Sequence, residues 1–327
     1  MAWCELPKFV PHSWLRSAHA QTIAGAYWRL PPFQLATRPH RVCLGDGDRV
    51  VVHEDQPTRE LDSDRTALLI HGLGGCHRSK YVHRLAARLL ERGWRVLRMD
   101  MRGFGAGSLE ARQHTHAGRW QDIAAVIEAM VAPLSRLSVI GFSMGANQLL
   151  KLLGCWEGAR PERIEKAIAV APPLKLWLCA ATLDRGLNRI YDWSFVRTLK
   201  RQVQRRRDVP GFVSTSELPL PDRLRKFDAQ WTAPLGGFRD VDDYYEQASA
   251  VHDLGLIRVP TMILAAEDDP LVPISTFHDL PISSRVRVAT TTHGGHLGYI
   301  GQTGLDPDRF WLDWRLIEQL ESPLAMA

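Results

Sequence analysis

The sequence predicts an α/β protein: a mainly parallel central sheet with helices on both faces and a helical insertion late in the chain. Three observations lead there. Short apolar runs alternate with amphipathic helical stretches from Ala67 onward, the rhythm by which crossover connections build a parallel sheet. That rhythm breaks between Leu174 and Pro234, a mostly helical stretch with no convincing strand. Strand-like runs then resume at residues 260–265 and 285–289.

Element by element, residues 1–40 are rich in Pro, Trp and His and read as an irregular arm lying on the body. Residues 41–53 read as a hairpin turning at Gly45-Asp46-Gly47-Asp48. Residues 67–70 form a buried strand. The helix at 79–92 carries Tyr81, Val82, Leu85, Ala86, Leu89 and Leu90 on one face, and Gly93 ends it. Residues 94–99 are the next strand, and a helix at 118–131 is stopped by Pro133. A strand at 137–140, a helix from Ala146, a strand at 167–170 and a last helix at 307–321 complete the pattern. The expected division is an arm at 1–40, a core at 41–173 and 235–327, and a helical cap insertion at 174–234.

Composition bounds the class. The chain has 327 residues, 45% of them hydrophobic and 24% charged, enough for one α/β domain with an insertion or for two domains. A net charge of +5 and a pI near 9.1 argue only mildly for anionic partners. The five cysteines (Cys4, Cys43, Cys76, Cys155 and Cys179) are odd in number and lack a C-x-x-C spacing. This argues against a disulfide framework and for a reducing, cytoplasmic setting. The first eight residues carry charges and a proline rather than the apolar core of a signal peptide. No run reaches the ~18 apolar residues of a membrane span; residues 167–181 are broken by Pro172, Pro173 and Lys175. A soluble protein is expected.

The chemistry is carried by Gly141-Phe142-Ser143-Met144-Gly145, directly after the apolar run 137–140 and at the start of a helix. A G-x-S-x-G at a strand-to-helix turn is the setting of a nucleophile elbow, and it points to the α/β-hydrolase fold. The flanking glycines remove side chains that would clash in so tight a turn, and the helix N-terminus favours negative charge beside the serine. Such a serine needs a base and an acid that orients the base, in the chain order Ser, acid, His. Asp268 and Asp269 both follow a strand; Asp269 is preferred because Pro273 stands four residues beyond it. His293 and His296 both follow the last strand; His296 is preferred because Gly294 and Gly295 let its loop turn back toward the serine. The oxyanion would be held by the backbone N–H groups of Met144, after the nucleophile, and of Leu73 in His71-Gly72-Leu73-Gly74-Gly75.

Other features take plainer readings. His71 is expected to shape the oxyanion loop, and His114 and His116 to be loop or helix-start residues. No Cys or carboxylate cluster at ligand spacing joins His293 and His296, so no metal is expected. The run Arg102 to Gly107 lacks the spacing of a dinucleotide loop and is read as the turn after the fourth strand. No cofactor and no nucleic acid are expected.

With these motifs on the page, the chain resembles the YheT-like α/β-hydrolases, a bacterial group related to eukaryotic α/β-hydrolase-domain esterases and phospholipases. The resemblance runs through His19-Ala20-Gln21-Thr22, the HGLGG loop with Ser79 and Tyr81, Arg102-Gly103, GFSMGAN, Arg225-Lys226-Phe227-Asp228 and Asp243-Tyr244-Tyr245. It ends in Glu267-Asp268-Asp269-Pro270 and the run His293 to Gly301. It implies cofactor-free hydrolysis of carboxylic esters by Ser143, Asp269 and His296. The expected partner is a small-molecule or lipid ester. An acyltransferase on the same three residues and a non-catalytic binding protein are the rival readings, and the oligomeric state is left open. The insertion is expected to cover Ser143 and to line an acyl pocket with Leu176, Trp177, Leu178 and Tyr191. Its basic run (Arg197, Lys200, Arg201, Arg205, Arg206, Arg207) reads either as a solvated face or as a weak peripheral contact with anionic membrane surfaces.

Overall fold

A computed structural model describes residues 4–28, 33–57, 64–133, 135–156, 163–212, 221–304 and 306–323. Its centre is an eight-stranded sheet in the order β1-β2-β4-β3-β5-β6-β7-β8. β1 (Thr37–Cys43) and β2 (Arg49–Asp55) form an antiparallel hairpin, and β2 also runs antiparallel to β4 (Arg95–Asp100). β3 (Arg65–Ile70), β5 (Arg136–Phe142), β6 (Ile164–Val170), β7 (Thr261–Ala266) and β8 (Val286–Thr291) continue the sheet in parallel from β4. The middle strands are covered on both faces, which is why Ala67 to Ile70 and Val139 to Phe142 read as unbroken apolar runs. β1 takes in residues 37–40, expected in the arm. As an edge strand it is mostly exposed, and its polar Thr37-Arg38-Pro39-His40 looks like loop until β2 pairs with it.

Helices α2 (Lys80–Glu91), α3 (Gln121–Met130), α4 (Met144–Cys155) and α10 (Trp311–Glu321) pack on the two faces. A short N-terminal helix, α1 (Ala18–Tyr27), starts at Ser17, whose hydroxyl accepts the Ala20 N–H. α10 begins four residues later than the sequence suggested, because Asp308 accepts the Phe310 N–H and the Trp314 indole N–H and turns the chain there. Several cations lie where periodicity alone would place apolar groups. Lys166 donates to the Gln319 carbonyl. Arg84 bonds Asp313 at 2.8 Å. Arg102, only 2% exposed, is gripped by Asp46, Asp48 and Asp122 at 2.6–3.0 Å, pinning the β1–β2 turn to α3.

Between β6 and β7 the chain is helical: α5 (Leu176–Leu183), α6 (Arg189–Arg206), α7 (Leu224–Phe227), a π turn (Asp228–Thr232), α8 (Ala233–Leu235) and α9 (Val241–Ala248). The helical character runs on in 3₁₀ turns to Leu256, past the expected limit at 234; residues 213–220 of the expected insertion lie outside the described residues. The π turn holds Asp228, whose carboxylate accepts from the Thr232 hydroxyl at 2.7 Å and the Tyr245 hydroxyl at 2.9 Å. Burial outweighs those bonds and pushes the carboxyl up to about 6. Among the described residues no helix is long and apolar enough to cross a membrane.

Two stability outcomes follow. Arg102→Leu leaves three carboxylates around an emptied cationic site and should destabilise the fold by about 3–5 kcal/mol in denaturant titration. Asp228 binds its proton more tightly folded than unfolded, so its contribution is complete below pH ~4 and is lost as pH rises through about 6. Asp228→Asn should remove that slope, on the order of 3 kcal/mol between the two limits; equal pH profiles of the urea midpoint for both proteins would contradict this.

Candidate active site

Ser143 closes β5 and opens α4. Its backbone is forced to φ 52°, ψ −120°, a conformation that a residue with a side chain adopts only when its surroundings impose it. Here they do. A Cβ on Gly145 would lie 2.4 Å from the His71 carbonyl oxygen, and one on Gly141 would lie 2.5 Å from that of Gly145. The Ser143 N–H donates to the Val170 carbonyl at 2.8 Å, tying the turn to β6. Met144 is the first residue of α4, so its N–H has no acceptor within the helix.

The loop after β3 approaches this turn from the other side. A Cβ on Gly72 would come within 3.0 Å of Ser143 Cβ. The Gly72 N–H donates to the Tyr81 hydroxyl at 2.9 Å, and Ser79 Oγ accepts the Cys76 N–H, so Ser79 and Tyr81 shape the glycine-rich loop. His71 is fully buried and does the same: Nδ1–H donates to the Gly72 carbonyl, and Nε2 accepts the Met101 N–H. Burial pushes its imidazole toward the neutral form that this pattern needs. Leu73 and Met144 both border the cavity beside Ser143.

His296 lies with Nε2 3.0 Å from Ser143 Oγ and Nδ1 2.8 Å from Asp269 Oδ2. The other Asp269 oxygen accepts the N–H groups of Leu271 and Val272 at 2.8 and 3.0 Å, so the carboxylate is held on one side and aimed with the other. The neighbouring pair sits elsewhere. Asp268 accepts the Gly295 N–H at 2.8 Å and faces His293 at 3.5 Å, supporting the backbone of the histidine loop rather than the imidazole of His296. A serine hydroxyl on an imidazole that a buried carboxylate orients can lose its proton as it attacks an electrophile.

The histidine loop is strained: Leu297 and Tyr299 have φ of 61° and 49°. The N-terminal arm holds it. Thr22 Oγ1 accepts the His296 backbone N–H at 2.9 Å and donates to the Ala18 carbonyl. Gln21, fully buried, accepts the Ile300 N–H with its amide oxygen and donates to the Ile300 and Leu15 carbonyls. At Gly295 (φ 56°) a Cβ would collide with the Ala18 carbonyl oxygen at 2.5 Å, so the arm reaches the loop only because that position is glycine. Sequence reasoning singled out His19 to Thr22 through the resemblance alone. Their part in the site depends on contacts more than 270 positions apart.

A cavity of about 110 Å³ opens at Ser143 and His296, walled mainly by Leu176, Leu183, Phe195, Leu199, Leu271 and Val272. Leu176 is therefore placed as expected, but Trp177, Leu178 and Tyr191 are not in the wall. Trp177 stacks toward His252, and the Tyr191 hydroxyl meets His19 Nδ1 at 2.9 Å. Asp228, Tyr244, Tyr245 and His116 add a polar side to the cavity. Burial, with Arg119 nearby, pushes His116 down to about 3, so it is a neutral imidazole at physiological pH. The basic run also divides. Arg206 is completely buried against His114 and the Gln113 carbonyl, leaving its neighbours at the surface.

One group of potential metal ligands occurs among the described residues: His53, His77 and Asp100, all buried. The two imidazoles stack at 3.4 Å with planes 17° apart, and His53 Nε2 and His77 Nδ1 both point at the same oxygen, Asp100 Oδ2. Asp100 already accepts both rings and the backbone N–H groups of His77 and Ala106. The cluster reads as a hydrogen-bonded tie between the loops after β3 and β4. A larger open groove, about 1490 Å³, lies at the opposite ends of the strands beside Arg136, Ile164 and Arg285, away from Ser143.

A family model described as the alpha/beta hydrolase fold matches residues 67–302. YheT of Escherichia coli (strain K12), a protein carrying an esterase name, is 29% identical over 97% of this chain and 94% of its own. Phospholipase ABHD3 of Mus musculus is 25% identical over 89% of this chain and 73% of its own. Among solved structures, the Pyrococcus furiosus esterase Pf2001 superposes with a TM-score of 0.55 at 16% identity, covering 97% of this chain and 98% of that one, a likeness of fold. The matched region holds the glycine-rich loop, the elbow, Asp269 and His296, and the chain belongs to the alpha/beta hydrolase fold family, within its YheT-like group.

Proposed function

We propose that the protein is a serine hydrolase of carboxylic esters working through an acyl-enzyme on Ser143. The observation that carries this reading is the hydrogen-bonded line Ser143–His296–Asp269 at the mouth of an apolar cavity. The esterase and phospholipase names of its relatives support it. Ser143 Oγ attacks the ester carbonyl as its proton passes to His296 Nε2. The N–H groups of Leu73 and Met144 hold the oxyanion, aided by the N-terminus of α4. His296 returns the proton to the departing alcohol as the ester C–O bond breaks. Water, deprotonated by the same imidazole, then releases the acid and frees Ser143. Asp269 keeps Nδ1 protonated and stabilises the imidazolium. The helical insertion from residue 174 acts as a cap that excludes water from the acyl group. The unpaired cysteines fit a reducing, cytoplasmic setting.

Ser143→Ala should leave the fold intact and lower kcat by roughly 10⁴–10⁶. A fluorophosphonate probe should label the wild type at Ser143 and leave this variant unlabelled; labelling of the variant would sink the assignment. His296→Ala and Asp269→Asn should each cost orders of magnitude in ester kinetics, whereas His293→Ala and Asp268→Asn should act through the loop and cost far less. The opposite ranking would move the chemistry to the other pair.

Thr22→Val keeps the shape of the side chain but removes the acceptor for the His296 N–H. It should lower kcat roughly tenfold with little change in KM, the size of one lost buried hydrogen bond. Thr22→Ser should restore it. A purely structural role would instead show as a lower melting temperature with kcat per folded molecule unchanged.

A further inference from the structure

Large apolar side chains stand exposed on two elements that meet above the histidine loop. On the cap, Leu187, Ile190 and Trp193 are 65%, 62% and 57% exposed; on the arm, Ile23 and Tyr27 are 51% and 76% exposed. The Tyr191–His19 contact joins the two elements, with the rings stacked at 5.7 Å. Ile23 and Tyr27 lie one and two helical turns beyond His19 on the same face of α1. Ile190 and Trp193 flank Tyr191 on α6, whose opposite side buries Val196, Leu199 and Val203 in the core.

Cations continue from this apolar edge. The Arg197 guanidinium lies over the Trp193 ring at 5.1 Å. Arg201 and Arg205 follow at four-residue spacing, and Arg189 stands at the start of the helix, all of them exposed. The single carboxylate of α6, Asp192, is buried beside Arg223 at 3.7 Å, so these arginines have no counter-charge on their own helix. Cations alone would suit any polyanion. Cations bordering exposed Ile, Leu and Trp suit a surface that is anionic outside and apolar just beneath, as a lipid bilayer is.

We propose that this face docks on an anionic lipid surface. Leu187, Ile190, Trp193, Ile23 and Tyr27 enter the headgroup region, and Arg189, Arg197, Arg201 and Arg205 meet lipid phosphates. The same arm helix that carries Ile23 and Tyr27 bonds the His296 backbone through Thr22 and α6 through His19, so the docking face is joined to the histidine loop. The inference goes beyond the ester-hydrolase reading and is read without turnover.

The test is vesicle flotation of the full chain carrying Ser143→Ala, with mixed phosphatidylcholine/phosphatidylglycerol vesicles and with pure phosphatidylcholine vesicles. Binding should appear with the mixed vesicles only and fade as salt rises. Arg197→Gln with Arg201→Gln should weaken partitioning about twenty-five-fold, since each basic side chain near the surface is worth about fivefold. Ile190→Ser with Trp193→Ser should weaken it at least as much while every charge is kept. Both pairs, placed in the Ser143 protein, should turn over a water-soluble ester as before. Absence of binding at low salt, or equal binding to both vesicle types, overturns the proposal. So does binding that ignores the apolar pair, which would be simple electrostatic adsorption. A concentration-dependent dimer dissolved by the apolar pair, without vesicle binding, would assign the face to a second copy of the chain. Failure of the wild type to hydrolyse any ester would refute the enzymatic reading and leave the flotation result intact.

Discussion

The structure is organised around one backbone constraint, the left-handed turn at Ser143. A residue with a side chain sits there because three segments crowd the same point: the end of β5, the start of α4 and the glycine-rich loop after β3. A single Cβ at Gly141 or Gly145 would drive backbone into backbone. In return the serine hydroxyl projects from the C-terminal edge of the sheet, where loops from neighbouring parallel strands converge. The N–H of Met144 is left free at the N-terminus of α4. Position of the Ser143 hydroxyl, local electrostatics and candidate oxyanion donors all follow from that turn.

The imidazole is held by a different strategy. The His296 loop follows the edge strand β8 and carries left-handed residues at Leu297 and Tyr299. Its shape is maintained by side chains from distant elements. Asp268 bonds the Gly295 N–H, Thr22 the His296 N–H and Gln21 both polar groups of Ile300. The arm, though short and mostly irregular, thus belongs to the working core. Through His19 and Tyr191 it also touches α6, so the arm, the helical insertion and the histidine loop share one mechanical junction.

The helical insertion contributes an apolar wall. Leucines and Phe195 from α5 and α6 close over Ser143, while the buried Asp228–Tyr245 pair knits the π turn to α9. The same helix α6 turns Leu199 and Val203 inward and leaves Ile190, Trp193 and a row of arginines outside. Arg206 shows how far a local charge pattern can mislead: it lies in the basic run, yet it is buried among His114, Phe212 and backbone carbonyls.

The strand–helix alternation, the G-x-S-x-G turn and the order of serine, acid and histidine are legible in the sequence, because each rests on local physics. Apolar runs mark strands buried on both faces, and glycines mark turns that tolerate no Cβ. Within the doubled candidates, Pro273 and the two glycines favour Asp269 and His296; the fold sets His296 against Ser143 and Asp269 against His296. What local signals could not reach is whatever depends on distant partners. The edge strand β1 looks polar until β2 pairs with it, and helicity continues past 234 because tertiary packing, not periodicity, sustains the short turns there. Tyr191 turned from the cavity to the arm, and Thr22 became the support of His296. Burial of Arg102, Lys166 and Arg206 was decided in the same way, since a buried cation is tolerable only where carboxylates or carbonyls from remote segments surround it, and only the folded chain assembles them.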